Sequence, residues 1–226
     1  NLINILGDQK ISWTSVNSIL ERHINNVREE INKTQKTVER DATFFTILVE
    51  KFKGSNRADG MFDFFNNLFG SLNEILSEKE KKKINKIITS LLTKADKDYL
   101  NFIGELATLN KFMLTRHYDL LNIEEPIHEE NNLSADIFLR HKLNQEEILV
   151  EVFNLHLEIK EFKEFNNLEY HLKSKLEKKK NDKEIDKSTK AIFIQPVVWT
   201  KDEAQLNFVK EFYLKTDFKI EKVNEP

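Results

Sequence analysis

The chain has 226 residues, of which 39% are hydrophobic and 32% are charged, enough apolar residues for a sizeable core in one large domain or two small ones. Its 35 basic and 38 acidic residues leave a net charge of −3, which neither implies nor excludes a polyanion partner, because local patches can be basic. The absence of cysteine excludes disulfides, thiolate metal sites and cysteine nucleophiles.

The apolar runs of the chain are too short for a membrane span. None approaches the roughly 20 residues that a transmembrane helix needs, and no signal peptide is visible at the start. We therefore predict no membrane span, and we expect a cytoplasmic location.

The first part of the chain carries helical patterns throughout. Apolar residues at helical spacing predict one or two long helices over 12–52, and Gly, Ser and Asn predict a loop over 53–60. Two further helices are predicted over 61–77 and 78–94. Because no strand signal precedes residue 118, we assign 1–95 to an all-helical N-terminal region.

The pattern changes from helical to strand-like in the second part of the chain. A helix over 96–117 is followed by the strand YDLLNIEEPI, and then by ADIFLRHKL and EEILVEVFNLHLE, which predict a hairpin around Asn144 and Gln145. A helix over 161–181, a strand over 190–199, a helix over 201–214 and a final strand over 217–223 complete the pattern. Residues 96–226 are thus predicted to be an α/β domain with a sheet flanked by helices.

Three carboxylates occupy positions at which the hydrophobic pattern predicts apolar side chains. Glu151 lies at the centre of the apolar run ILVEVF, and Asp136 is equidistant from the hairpin turn, which places the two opposite each other. Glu105 lies between Phe102 and Leu109 on the apolar face of its helix. Because carboxylates at such spacing repel unless a cation lies between them, the pattern favours Mg²⁺ or Mn²⁺.

The order of these elements and acids resembles the PD-(D/E)XK nuclease superfamily. The resemblance covers roughly residues 98–200: GEL on a helix, a strand, Asp136, Glu151 in an apolar strand, then helix and strand. It implies a restriction endonuclease-like mixed sheet. It also implies that Glu105, Asp136 and Glu151 bind Mg²⁺ and that Asp136 and Glu151 take part in phosphodiester hydrolysis of DNA or RNA.

The chain departs from the family pattern at the lysine of the E-x-K triplet. Here the triplet is Glu151-Val152-Phe153, and SAD replaces the Pro-Asp start. Within the family this lysine can migrate to the next helix, and Lys175, between Leu172 and Leu176, is the expected substitute in catalysis. Lysines of the run 173–183 are expected to contact nucleic acid phosphates, namely Lys173, Lys178 and Lys179.

Other interpretations stay open at this point. Glu105 could lie at the exposed rim of its helix, Asp136 could cap a turn, and Glu151 could pair with a buried Lys or Arg. The domain could be a catalytically degenerate module that binds nucleic acid or protein, since Phe153 removes a group that the chemistry needs. The chain could also be an assembly protein whose N-terminal helices form a homo-oligomer or bind a protein partner.

Overall fold

The structure, a computed structural model, describes residues 11–34, 44–94, 98–128, 133–157, 165–185, 188, 190–200 and 202–215. The chain divides into two compact units, Asn1–Asn110 and Lys111–Pro226. The predicted boundary at 95/96 precedes the helix Tyr99–Leu114, whereas the units meet within that helix. One contact that joins this helix to the first unit is the hydrogen bond from Ser71 Oγ to Asn110 Oδ1, at 2.7 Å. The strand predicted over 217–223 lies outside the described residues.

The first unit is helical wherever it is described. Its helices are α1 (Trp13–Thr34), α2 (Phe44–Phe52), α3 (Asn56–Ile75), α4 (Glu78–Lys83), α5 (Asn85–Thr93) and most of α6 (Tyr99–Leu114). The prediction of a helical N-terminal region is confirmed. None of the described helices is long and apolar enough to cross a membrane.

Two helix boundaries in the first unit differ from the sequence prediction. Helix α3 begins at Asn56 because Ser55 caps it, accepting a hydrogen bond from the N–H of Ala58 at 3.4 Å. The predicted loop over 53–60 is therefore too long. The predicted helix over 78–94 is interrupted at Ile84, a fully buried residue between α4 and α5.

The second unit contains a mixed sheet. Its strands are β1 (Tyr118–Pro126), β2 (Ser134–His141), β3 (Glu147–His156) and β4 (Ala191–Trp199), with helices α7 (Phe165–Asp182) and α8 (Glu203–Lys215). Among the described residues the strand order is β1-β2-β3-β4. Strands β1, β2 and β3 pair antiparallel, and β4 pairs parallel to β3. The predicted α/β class and the mixed sheet are confirmed.

Helices α7 and α8 pack against one face of the sheet, here called the α7 face. Phe153 and Leu155 of β3 form a core cluster there with Leu168 and Leu172 of α7 and Phe212 of α8. Burying side chains of this size stabilises the fold by about 1.5–3 kcal/mol each. Side chains alternate along a strand, so Glu151, two residues before Phe153, also belongs to the α7 face.

Strand β4 forms one edge of the sheet within the described part of the chain. The row of backbone hydrogen-bonding groups along its outer side is interrupted at Pro196. The Trp199 carbonyl accepts a hydrogen bond from Leu157 at 2.9 Å, so by alternation the backbone groups of Pro196 point away from β3. Proline offers no N–H there. The Pro196 carbonyl accepts a hydrogen bond from Gln195 Nε2 at 2.8 Å, and Gln195 Oε1 accepts one from Lys111 Nζ at 2.8 Å.

Candidate functional site

Asp136 and Glu151 lie on neighbouring strands. The register of β2 and β3 pairs Ile137 with Val150, and one position further along Asp136 stands opposite Glu151. Opposed residues of an antiparallel pair project from the same face of the sheet, here the α7 face. Asp136 Oδ2 also accepts a hydrogen bond from the backbone N–H of Val152 at 2.6 Å, which holds its carboxylate over β3.

Glu151 is a buried carboxylate that contacts two lysines. Its side chain has 0% exposure, Lys179 Nζ lies 2.6 Å from its Oε1, and Lys183 Nζ lies 3.4 Å from the same oxygen. The two lysine side chains are 27% and 24% exposed. An ionised carboxylate with no exposure is costly unless opposite charges accompany it. Lys179 of α7 and Lys183, directly after this helix, therefore supply the positive charge that the buried Glu151 needs.

The two lysines continue the apolar stripe of α7. Leu168, Leu172 and Leu176 recur every fourth residue on the inner side of α7. Lys179 follows Leu176 by three residues on the same side of the helix, and Lys183 comes directly after its last residue, Asp182. Lys183 also donates a hydrogen bond to the Ser134 carbonyl at 2.6 Å, which ties the end of α7 to the start of β2.

The environment favours the neutral form of Asp136. Burial, the main cause, and the charge of Glu151 both raise the pKa of Asp136 from 3.8 to about 6, even though Lys179, the Val152 N–H and Lys183 lower it. Asp136 therefore keeps its proton up to about pH 6, well above the range of an ordinary aspartate.

Two observations bear on whether these acids fit a divalent cation. Glu151 Oε2 is buried and has no hydrogen-bond partner among the described residues, so it offers a free carboxylate oxygen beside Asp136. Carboxylate oxygens completed by water are the ligands that Mg²⁺ prefers. Within the described ranges, however, no group of three or more His, Asp or Glu side chains is arranged to hold a metal ion. The two acids fit part of a metal coordination sphere.

The third predicted metal ligand belongs to the other compact unit. Glu105 is half-buried on the part of α6 that lies in the first unit. Its role as a ligand beside Asp136 and Glu151 stays a prediction.

The lysine that contacts Glu151 differs from the predicted one. Lys175 is half-buried and makes no ion pair with a described residue, whereas Lys179 and Lys183 both approach Glu151. Lys179 was expected to contact phosphate instead. Lys178 is exposed, and Lys173 is paired with Glu169 at 2.6 Å on the surface of α7. The leucine stripe of α7, extended by one helical turn beyond Leu176, reaches Lys179. This spacing is the sequence signal that favours Lys179 over Lys175.

Phe153, which stands where the family has lysine, belongs to the core. It is 5% exposed and packs with leucines of β3 and α7. Lysine at this position would place an ammonium group among apolar side chains. The local packing therefore explains why positive charge reaches Glu151 from α7 rather than from β3.

Comparisons with known proteins give no further guide to this site. No family model, curated protein or solved structure matches the chain. The interpretation of the site therefore depends on the geometry of β2, β3 and α7.

Proposed function

We propose that the second unit is a nuclease domain of the PD-(D/E)XK type, which hydrolyses phosphodiester bonds of DNA or RNA with Mg²⁺ or Mn²⁺. The observation that carries the proposal is the grouping of Asp136, Glu151 and Lys179 on β2, β3 and the following helix. The element order of α6, β1 to β3, α7 and β4 agrees with the order that the resemblance implies.

In this proposal each of the three side chains has a separate task. Asp136 and Glu151 would hold the cation, which would supply activation of a water molecule and stabilisation of charge on the phosphate. Lys179 supplies the positive charge that Phe153 does not, and the Val152 N–H keeps the Asp136 carboxylate in place.

The basic end of α7 supports a nucleic acid substrate. Lys178 is exposed there, and the sequence KLEKKKNDK places further lysines around it. Lysines contact phosphates without reading bases, so binding is expected to weaken steeply with salt and to depend little on sequence.

The test is cleavage of labelled single- and double-stranded DNA and RNA by the full chain in Mg²⁺, Mn²⁺ or EDTA. Metal-dependent cleavage is expected for the wild type, with a loss of at least about 100-fold in Glu151→Gln, since a metal ligand is removed. The matched control is Glu177→Gln, which makes the same charge change at an exposed position of α7. Equal cleavage by wild type and Glu151→Gln would refute the role of Glu151.

A second candidate is a non-catalytic module of the same type that binds nucleic acid. It is favoured by the two lysines that already accompany Glu151 and by the burial of Phe153. For this module we expect binding that persists in EDTA and in Glu151→Gln, without cleavage. Fluorescence anisotropy with the same labelled nucleic acids, read beside the cleavage assay, separates the two candidates.

A further inference from the structure

The candidate site is more open to solvent at Asp136 than at Glu151. The Glu151 side chain on β3 has 0% exposure, whereas Asp136 on β2 is half-buried. An anionic substrate that reaches the two acids therefore approaches them from β2. Because it meets carboxylate charge there, its approach requires positive charge close to Asp136.

Two lysines flank Asp136 along β2. Lys183 Nζ donates a hydrogen bond to the Ser134 carbonyl at 2.6 Å, and Lys190 Nζ lies 4.6 Å from the centroid of the Phe138 ring. Ser134 and Phe138 are each two residues from Asp136, a distance of about 7 Å along a strand. Phe138 also shares the α7 face with Asp136, because side chains alternate along a strand. The Lys190 ammonium group therefore lies on the same face of the sheet as the two acids.

The contacts of Lys190 leave its ammonium group able to bind an anion. Its distance to Glu125 Oε1 is 3.7 Å, longer than a direct hydrogen bond, and 35% of its side chain is exposed. Glu125 also accepts a hydrogen bond from Asn122 Nδ2 at 2.9 Å. An ammonium group has three N–H donors. Lys190 can therefore donate to a phosphate oxygen while it keeps its contact with the Phe138 ring.

The backbone of Lys190 is fixed by Ser188, which is fully buried. The Lys190 N–H donates to Ser188 Oγ at 3.2 Å, and Ser188 Oγ donates to the Lys190 carbonyl at 3.0 Å. The next residue, Ala191, begins β4 and pairs with Ile148 of β3. The side chain of Lys190 thus extends towards β2 from a backbone that is already ordered.

We propose that Lys190 binds a phosphodiester group of the nucleic acid substrate on the open side of Asp136. This inference rests on the proposed function, because it takes the nucleic acid to the acids of β2 and β3. Lys190 is a substrate-binding residue in this account, and Lys179 keeps its place beside Glu151 and Asp136. Substrate binding therefore adds a cation contact without removing a charge from the site.

The first test is binding of labelled single- and double-stranded DNA and RNA to the full chain, measured by fluorescence anisotropy in EDTA over a series of salt concentrations. Lys190→Met is expected to weaken binding by about 5–10-fold at moderate salt and to lower the slope of log affinity against log salt by about one phosphate contact. Lys190→Arg keeps the charge and is expected to stay within about twofold of the wild type. In the cleavage assay Lys190→Met is expected to raise KM more than it lowers kcat.

The matched control is the other lysine–carboxylate pair of the sheet. Lys142 Nζ lies 3.4 Å from Asp119 Oδ1 at the opposite end of β2, and both side chains are exposed. Lys142→Met is expected to leave the affinity and the salt slope within error of the wild type. Glu125→Gln removes the carboxylate beside Lys190 and is expected to tighten binding about two- to threefold, whereas Asp119→Asn is not. Circular dichroism establishes that the variants are folded.

The second test uses the wild-type chain, so it does not depend on the folding of a variant. The acetylation rates of Lys190 and Lys142 by a water-soluble succinimidyl ester are measured by mass spectrometry with and without saturating nucleic acid. Bound nucleic acid is expected to slow acetylation of Lys190 several-fold and to leave the rate at Lys142 unchanged.

The outcomes separate this inference from the proposed function. If the wild type binds and cleaves nucleic acid but Lys190→Met does so equally well, with the same salt slope, and Lys190 is not protected, the inference is wrong while the nuclease proposal stands. Weaker binding by Lys190→Met and protection of Lys190 in a chain that never cleaves would support the inference and refute hydrolysis. If the wild type neither binds nor cleaves any of the nucleic acids, both fail.

Discussion

Lys179 Nζ lies 2.6 Å from Glu151 Oε1, and the Glu151 side chain has no exposed surface. This ion pair joins α7 to the central strand β3 inside the second unit. An ion pair of this kind contributes little net stability when compared with apolar residues of the same volume. Replacing only one partner by an uncharged residue, however, leaves the other as a buried charge without its counterion. The pair therefore makes the stability of the domain depend on the end of α7.

Lys179→Met is expected to lower the free energy of unfolding by about 2–3 kcal/mol, because Glu151 then retains only Lys183. The double variant Lys179→Met/Glu151→Leu is expected to be more stable than the sum of the single changes predicts, with a coupling on the order of 2 kcal/mol. Urea denaturation of the four proteins measures this cycle. Lys173→Met, which breaks the exposed pair with Glu169, serves as control and should cost less than about 1 kcal/mol. A coupling near zero would contradict the account of Glu151.

Asp136→Asn is expected to stabilise the protein at neutral pH, by an amount on the order of 2 kcal/mol. The pKa of Asp136 is raised from 3.8 to about 6 in the folded protein. Between these values the unfolded chain releases a proton that the folded chain keeps, so the wild type loses stability as pH rises from about 4 to about 6. Asparagine keeps an acceptor for the Val152 N–H and has no proton to release, so it stays uncharged at every pH.

Urea denaturation of the wild type and Asp136→Asn across pH 4–8 checks this prediction. The stability difference between the two proteins should grow up to about pH 6 and stay constant above it. Asp182→Asn, at the exposed end of α7, is the matched control and should show no such trend. A constant difference at all pH values would contradict the pKa of Asp136.

The sequence predicts the sheet and the opposed positions of Asp136 and Glu151 well, because both depend on local periodicity. The hairpin symmetry places Asp136 opposite Glu151, and the apolar run around Glu151 marks a buried strand. The choice between Lys175 and Lys179 depends on tertiary structure. Lysines at a helix end are normally solvated. Lys179 instead points towards the sheet, because its ammonium group pairs with the buried Glu151 on the facing strand. Helix α3 begins earlier than the sequence predicts because the cap by Ser55 outweighs the loop signal of Gly54 and Gly60.

Phe153→Lys, which recreates the E-x-K triplet, is expected to destabilise the protein rather than to activate it. The Phe153 ring is buried among leucines of β3 and α7, so the change removes a large apolar side chain and buries a charge. We expect a loss of about 3 kcal/mol or more. Phe153→Leu, the apolar control, should cost about 1 kcal/mol. A Phe153→Lys protein that is as stable as the wild type and cleaves faster would show that β3 can present a lysine to Glu151.

Pro196→Val together with Gln195→Ala is expected to promote self-association through the outer edge of β4. The first change restores an outward N–H, and the second frees the carbonyl that Gln195 Nε2 now occupies. Sedimentation velocity over a concentration series measures the association. Gln195→Ala alone, which leaves proline in place, is the control and should stay closer to the wild type. Unchanged sedimentation of the double variant would mean that Pro196 does not protect this edge.

The most direct test of a divalent cation at Asp136 and Glu151 is thermal unfolding with and without millimolar Mn²⁺, on the wild type and on Glu151→Gln. A cation that binds only the folded state raises the melting temperature by mass action. We expect Mn²⁺ to raise the melting temperature of the wild type and to leave that of Glu151→Gln unchanged. No shift in the wild type, or an equal shift in both proteins, would contradict a metal site built on Glu151.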